Sequence, residues 1–281
     1  MAITEILDVE QLEVNIYRGG AFGRKSDGFQ RTFGGQVAGQ SLVSAERTVD
    51  AHYQVHSLHG YFLRPGDPYA PIVFLVERLR DGDSFCTRRV SAVQHGEMIF
   101  YMSASFHSGQ AGIEHQERMP AVPGPEELRE IVGMDVFDDE AFKVFHEWDL
   151  RRVPHETGEP TLGAPAVQRI WLRHRSALPD DPVLHVCALA YISDLTLLST
   201  AWSIHSSVRD HLQVASLDHA MWFMRPFRAD EWLLYDQSSP SACGGRSLAQ
   251  GKIYEQDGTM VAAVTQEGLT RYRRGFTAAT G

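Results

Sequence analysis

The sequence predicts an α+β protein built from two tandem copies of one unit, a single helix followed by an antiparallel meander. Three observations predict it. Apolar runs and turn signals recur in the same order in both halves. The halves align at a near-constant spacing: Arg64-Pro65 matches Arg225-Pro226 at an offset of 161, and Gln94-His95-Gly96 matches Gln256-Asp257-Gly258 at 162. Between them lies a stretch rich in proline, glycine and acids, with Pro120, Pro123 and Pro125, too long for a loop inside one compact unit. The expected division is a first repeat over 1–110, a linker over 111–140 and a second repeat over 141–281 that carries the chemistry.

The elements follow in chain order. MAITEILDVEQLEV at the start reads as a short acidic helix, with no basic segment leading into an apolar run. Residues 29–50 place Val37, Ala38, Leu42, Val43 and Ala45 at near-helical spacing after Gly34-Gly35, which predicts one helix of about four turns. Strands are expected over 52–63, 71–79, 84–94 and 98–106, separated by Pro65-Gly66-Asp67-Pro68, Asp81-Gly82-Asp83 and His95-Gly96. A short helix over 126–132 is expected in the linker. The second repeat then gives a helix over 194–206 and strands over 215–224, 231–238, 245–254 and 260–270. Tyr61-Phe62 falls against Trp222-Phe223, so the aromatic pattern repeats as well.

Composition excludes several classes. With 43% apolar and 22% charged residues in 281, the chain can bury substantial cores. Lys+Arg 26 against Asp+Glu 36 gives a net charge of −10, which disfavours a nucleic-acid binder. The three cysteines, Cys86, Cys187 and Cys243, are widely spaced and form no C-x-x-C, so neither a disulfide framework nor a thiolate zinc site is expected. No stretch reads as the ~20 apolar residues of a membrane span, and the terminal AATG is no peroxisomal tripeptide. A cytoplasmic protein is the expectation. Exposed sheet edges favour self-association, and a homodimer or homotetramer is expected.

The chemistry comes from contrasts between the repeats. Met260, Ala262, Val264 and Gln266 share one face of the last strand, and their counterparts in the first repeat are Met98, Phe100, Met102 and Ala104. Gln266 therefore places an amide where the first copy has a methyl, and a buried amide costs a few kcal/mol unless partnered. Ser216 stands where the first copy has Val55. Asp194 opens the predicted second helix, where the first copy has Gly34 or Phe33; a plain helix N-cap is its competing role. Polar residues thus gather at three matched places in the second copy alone.

FGGQVAGQ (33–40), HSLHGYFLRPGDP (56–68), RDGDSFCTRRV (80–90), FYMSASF (100–106), SLDHAMWFMRPF (216–227) and QDGTMVAAVTQEG (256–268) closely resemble the type II, TesB-type acyl-CoA thioesterases, in family order over nearly the whole chain. The resemblance implies a double hot dog fold, two helices each wrapped by a curved antiparallel sheet. It places the family's catalytic Asp, Ser/Thr and Gln on Asp194, Ser216 and Gln266. It implies hydrolysis of medium- to long-chain acyl-CoA by an activated water, with acyl-CoA as partner and no cofactor. Gly34 and Gly35 are candidates for oxyanion amides, and His56, His59 and Tyr61 for substrate contacts.

Other motifs carry less. His52, His56 and His59 form H-x3-H-x2-H, but strand alternation sends His56 and His59 to opposite faces, so no metal site is expected. A Ser216–His219–Asp218 triad would need three side chains of one short strand to converge, and no G-x-S-x-G is present. Asp218 and His219 read as an ordinary pair, and Cys86 and Cys243 as core fillers. Arg64, Arg80, Arg88, Arg89 and Arg246 are candidates for the phosphates of coenzyme A, and Phe33, Tyr61, Phe62 and Trp222 for the acyl tail. A hydratase or dehydratase of acyl thioesters and a non-catalytic acyl-CoA sensor are the rival functions.

Overall fold

The computed structural model describes residues 2–22, 31–131, 145–154, 163 and 165–276. One antiparallel sheet runs through both repeats. In the first half, helix α1 (Ile3–Leu7) leads into β1 (Val9–Glu13) and β2 (Ile16–Gly19). Then come α2 (Gly34–Glu46), β3 (Gln54–Phe62), β4 (Ile72–Asp81), β5 (Phe85–Gln94) and β6 (Glu97–His107). The second half contains β7 (Trp148–Arg152), β8 (Ala166–His174), α3 (Pro182–Ser193), β9 (Leu212–Ser216), β10 (Asp218–Phe223), β11 (Leu233–Cys243), β12 (Arg246–Glu255) and β13 (Met260–Tyr272), with short 3-10 turns between α3 and β9. The strand order is β1-β2-β4-β5-β6-β3-β10-β13-β12-β11-β8-β7, and β9 also pairs with β13. The order is symmetric about the β3–β10 pair, where the two copies join.

Register confirms the repeat alignment. Val55 faces Phe106 and Ser216 faces Gly268; Ala104 faces Arg88 and Gln266 faces Ala249. Each pair of counterparts differs by 161 or 162, as the turn motifs predict. His95 and Gly96 take positive φ in the β5–β6 turn, as the His-Gly signal requires, and Gly258 does so in the matching turn.

Several expectations change. The second helix is Pro182–Ser193, not 194–206. Asp181 caps it by accepting from the Val183 amide, and Pro182 occupies its first turn. This helix is apolar on all sides and almost wholly buried, so it carries no amphipathic stripe for a periodicity search to find. Together with the following turn it forms an apolar run, Pro182–Trp202, of mean hydropathy 1.5, long enough to span a membrane by composition; it is 72% buried inside the protein. The N-terminal segment is helical only to Leu7 and then turns into β1. The hairpins β1–β2 and β7–β8 extend both ends of the sheet, and their outer strands β1 and β7 lack alternation. The strand expected over 215–224 breaks at Leu217 into β9 and β10.

The segment after β6 is more than a tether. Among the described residues its one regular turn is Pro125–Glu127, and the part of the expected helix from Val132 onward lies outside them. Met119, Val122 and Leu128 pack on Trp171, Trp232, Leu234 and Tyr254, covering a second apolar cluster of the sheet. The Trp171 indole donates to the Pro123 carbonyl, at 2.9 Å.

The main core lies where α2 and α3 pack together inside the sheet. Glycines set their separation. A Cβ on Gly35 would sit 2.0 Å from the Tyr191 carbonyl oxygen, a backbone atom of α3. At Gly39 the nearest atom is the flexible end of Leu7 at 2.9 Å, with the Cys187 carbonyl at 3.3 Å. Gly35→Ala is therefore expected to lower Tm by several degrees, roughly 3 °C per kcal/mol for a chain of this size, and Gly39→Ala by clearly less. Calorimetry on both variants checks this ranking; equal losses contradict it.

Glu46 ends α2, partly buried beside Asp181. Burial first, and Asp181 second, push its carboxyl up to about 8, against a backbone hydrogen bond from Val55. Above the ordinary value of 4.5 the unfolded chain ionises this group while the folded one keeps it protonated, so stability falls as pH rises toward 8. Glu46→Gln should raise Tm near pH 8 and leave it unchanged below 4.5. A gain of the same size at both pH values contradicts this placement.

Candidate active site

Three elements converge at the seam between the repeats. Asp194 follows the last residue of α3, in helical conformation, as its C-cap. It does not open a helix, so the N-cap role falls, and so does its match to Gly34 or Phe33; the residues that precede α2 and α3 are Phe33 and Asp181. Ser216 ends β9. Gln266 lies on β13, fully buried, on the inner face with Val264 and Ala262.

These residues meet at one carboxylate. Asp194 Oδ1 accepts from Gln266 Nε2 at 2.6 Å and from Ser216 Oγ at 3.3 Å. The Gly35 amide, in the first turn of α2 and from the other repeat, donates to Asp194 Oδ2 at 2.9 Å. The buried amide of Gln266 thus has the partner its burial demands. Its Oε1 remains buried with no partner among the described residues, an acceptor beside a carboxylate and a hydroxyl. A Cβ on Gly34 would come within 2.6 Å of Asp194 Oδ2 and 2.9 Å of the Phe62 ring, so only glycine leaves the carboxylate its place. Phe33 sits edge-on to Tyr191 at 5.1 Å. Phe62 and Phe33 thus lie against Gly34 and Gly35, the glycines that flank the carboxylate.

His56, His59 and Tyr61 are not brought to this site. Val55, Leu58 and Gly60 are the buried positions of β3, and Tyr61 is 49% exposed. Tyr61 stacks on Tyr101, and His59 packs edge-on to Trp222, on the outer face of the sheet. A bulge between Val55 and Ser57 leaves His56 outside the pairing. It bonds Ser105 Oγ at 2.9 Å and lies against Phe85 and His107, on the same outer face. The bulge breaks the alternation that would have sent His56 and His59 to opposite faces. Among the described residues no His/Cys/Asp/Glu group could hold a metal ion. Tyr61 and Trp222 are likewise outside the site as acyl-tail contacts.

Asp218 and His219 do not pair. Asp218 accepts from the Glu267 amide at 2.6 Å, while His219 turns inward, fully buried, with Nε2 bonded to Ser193 Oγ at 2.9 Å. Burial holds the His219 imidazole below the usual histidine range, against the pull of Asp194 and Asp218. Cys86 is buried, but Cys243 is exposed at the end of β11, beside the turn formed by Gly244 and Gly245. Four of the five candidate phosphate arginines are committed elsewhere: Arg64 to Glu97, Arg89 to Glu77, Arg246 to Glu267, and buried Arg88 to Asp81 and Thr48.

One polar group escaped the sequence reading. Gln237, fully buried, donates to Thr196 Oγ1 at 2.5 Å and accepts from Thr200 Oγ1 and Gln168 Nε2. This network fastens the turn that follows Asp194. Gln237 faces Gly251 and its counterpart Val76 faces Val90. The contrast that exposes Gln266 therefore exposes Gln237 too.

Comparison with known proteins shows the family. The acyl-CoA thioesterase family matches residues 139–269, and the acyl-CoA thioesterase N-terminal domain matches 25–107. Acyl-coenzyme A thioesterase 8 of Mus musculus is 39% identical over 96% of this chain and 89% of its own length. Acyl-CoA thioesterase 2 of Haemophilus influenzae is 36% identical over 96% of this chain and 97% of its own. The crystal structure of an acyl-CoA thioesterase II, TesB2, from Mycobacterium marinum shares 64% identity and a TM-score of 0.87, covering 98% of this chain and all of that one. With its two hot dog repeats, the chain belongs to the acyl-CoA thioesterase family.

Proposed function

We propose that this thioesterase hydrolyses medium- to long-chain acyl-CoA by direct attack of a water held at Asp194, with no acyl-enzyme. The observation that carries the reading is the convergence of Gln266, Ser216 and Gly35 on one carboxylate. A thioester carbonyl is weakly stabilised by resonance and has a good leaving group, so an oriented water and a base suffice. Asp194 accepts a proton from the water as its oxygen attacks the carbonyl carbon. Gln266 Oε1 accepts the water's second hydrogen, and the Ser216 hydroxyl fixes its position. The tetrahedral intermediate then expels the thiolate, which takes the proton back from Asp194.

Gly35 acts here on the carboxylate instead of on an oxyanion, because its amide points at Asp194 Oδ2. That bond sets the carboxylate's orientation from the facing repeat. A hydratase would need a histidine working with an acid at the reacting carbons. Of the histidines weighed for such a role, His219 is tied to Ser193, and His56 and His59 lie on the outer face of the sheet. A sensor would have no use for an aligned Asp, Ser and Gln. A homodimer or homotetramer in the cytoplasm completes the proposal.

Thiol release from a chain-length series of acyl-CoAs tests the reading. Wild type should turn over medium and long chains. Asp194→Asn should lose roughly 10²–10⁴-fold in kcat and keep its Tm within a few degrees, since asparagine retains one acceptor for the Gly35 amide. Binding without thiol release in the wild type favours the sensor. Undiminished kcat in the variant removes Asp194 from the chemistry.

A further inference from the structure

We infer that Arg31, Arg271 and Arg273 form the subsite for the 3′-phosphorylated ADP end of the substrate. The inference rests on the acyl-CoA reading and adds where the nucleotide lies. It starts from strand β9, which leads to Ser216. Leu217 donates to the Glu267 carbonyl and Arg273 to the His211 carbonyl, so residues 211, 213, 215 and 217 are the ones that bond backbone to backbone with β13. By alternation the carbonyls of Leu212 and Val214 point away from β13, toward the free edge of β9.

Both carbonyls are held by arginines. Arg31 Nη2 reaches the Val214 carbonyl at 3.2 Å, and Arg273 Nε reaches that of Leu212 at 3.1 Å. Arg271 lies opposite Gln213 and donates to it from Nε at 3.1 Å. Each guanidinium spends a single hydrogen bond on these contacts and keeps further N–H donors for a phosphate. Among the described residues none of the three forms an ion pair, and neither does neighbouring Arg274, whereas most other arginines do. In a chain of net charge −10 an unneutralised cluster of this kind is against the trend.

Length fits the same ligand. Ser216 and Leu212 are the two ends of β9, about 13 Å apart at the rise of a strand. The pantetheine arm, from sulfur to the first phosphate, has about as many bonds as four residues of extended chain and spans a similar distance. A thioester at Asp194 and Ser216 can thus lay its phosphates beside Arg273 and Arg271.

The test compares an acyl-CoA with the same acyl group on pantetheine, which lacks the nucleotide, and uses adenosine 3′,5′-bisphosphate as the probe. The bisphosphate should compete with acyl-CoA in the wild type. The Arg271→Ala/Arg273→Ala double variant should raise KM for acyl-CoA about tenfold, leave kcat unchanged, weaken the bisphosphate by a similar factor and lose most of the salt dependence of KM. Its kcat/KM for acyl-pantetheine should match wild type, which also shows that the variant is folded. Equal losses on both esters, or an unchanged KM for acyl-CoA, overturn the subsite. Failure of wild type on both esters would strike the hydrolase reading instead, and calorimetric binding of the bisphosphate to wild type and variant would still decide the subsite.

Discussion

The hydrogen bond from the Gly35 amide to Asp194 joins the two repeats at the point where chemistry is proposed. It exists because α2 and α3 approach closely enough for a first-turn amide of one to meet the residue that ends the other. That approach needs glycine: a Cβ on Gly35 would run into the Tyr191 carbonyl, and one on Gly34 into the carboxylate itself. Backbone packing and site geometry are thus one constraint. The symmetric sheet delivers the two helices, and the β3–β10 pair fixes how the halves face each other.

The repeats share a backbone and divide the labour. At matched inner positions the first copy has Val55, Val76 and Ala104 where the second has Ser216, Gln237 and Gln266. Buried polar groups are costly unless paired, and those of the second copy form two connected sets. Ser216 and Gln266 converge on Asp194, while Gln237 and Gln168 hold the turn that follows it. The first copy contributes apolar packing and the glycine amide.

This division explains what was legible in the sequence. Repeat spacing and turn chemistry gave the meanders and their register, because positive-φ turns such as His95-Gly96 leave a local signature. Contrast between copies pointed to Gln266 and Ser216, since polarity at an inner strand position is anomalous on its own. The helix before Asp194 was missed because a wholly buried helix has no polar face, and its cap, Asp181-Pro182, was the available signal. The outermost strands at the sheet ends, β1 and β7, show no alternation. His59 and Tyr61 face outward by plain alternation with buried Leu58 and Gly60, and His56 does so for a different reason. A single bulged residue reassigns a face, and no side chain in HSLHGYF announces it.

The central claim is that water attacks the thioester directly while Asp194 stays a base. A single turnover with enzyme in excess, run in water enriched in heavy oxygen, tests it most directly by mass spectrometry of both the released acid and the peptide containing Asp194. The account predicts one heavy oxygen in the acid and none in the peptide. Unlabelled acid with heavy oxygen in the Asp194 carboxylate would mean that Asp194 itself attacked the thioester, and would contradict it.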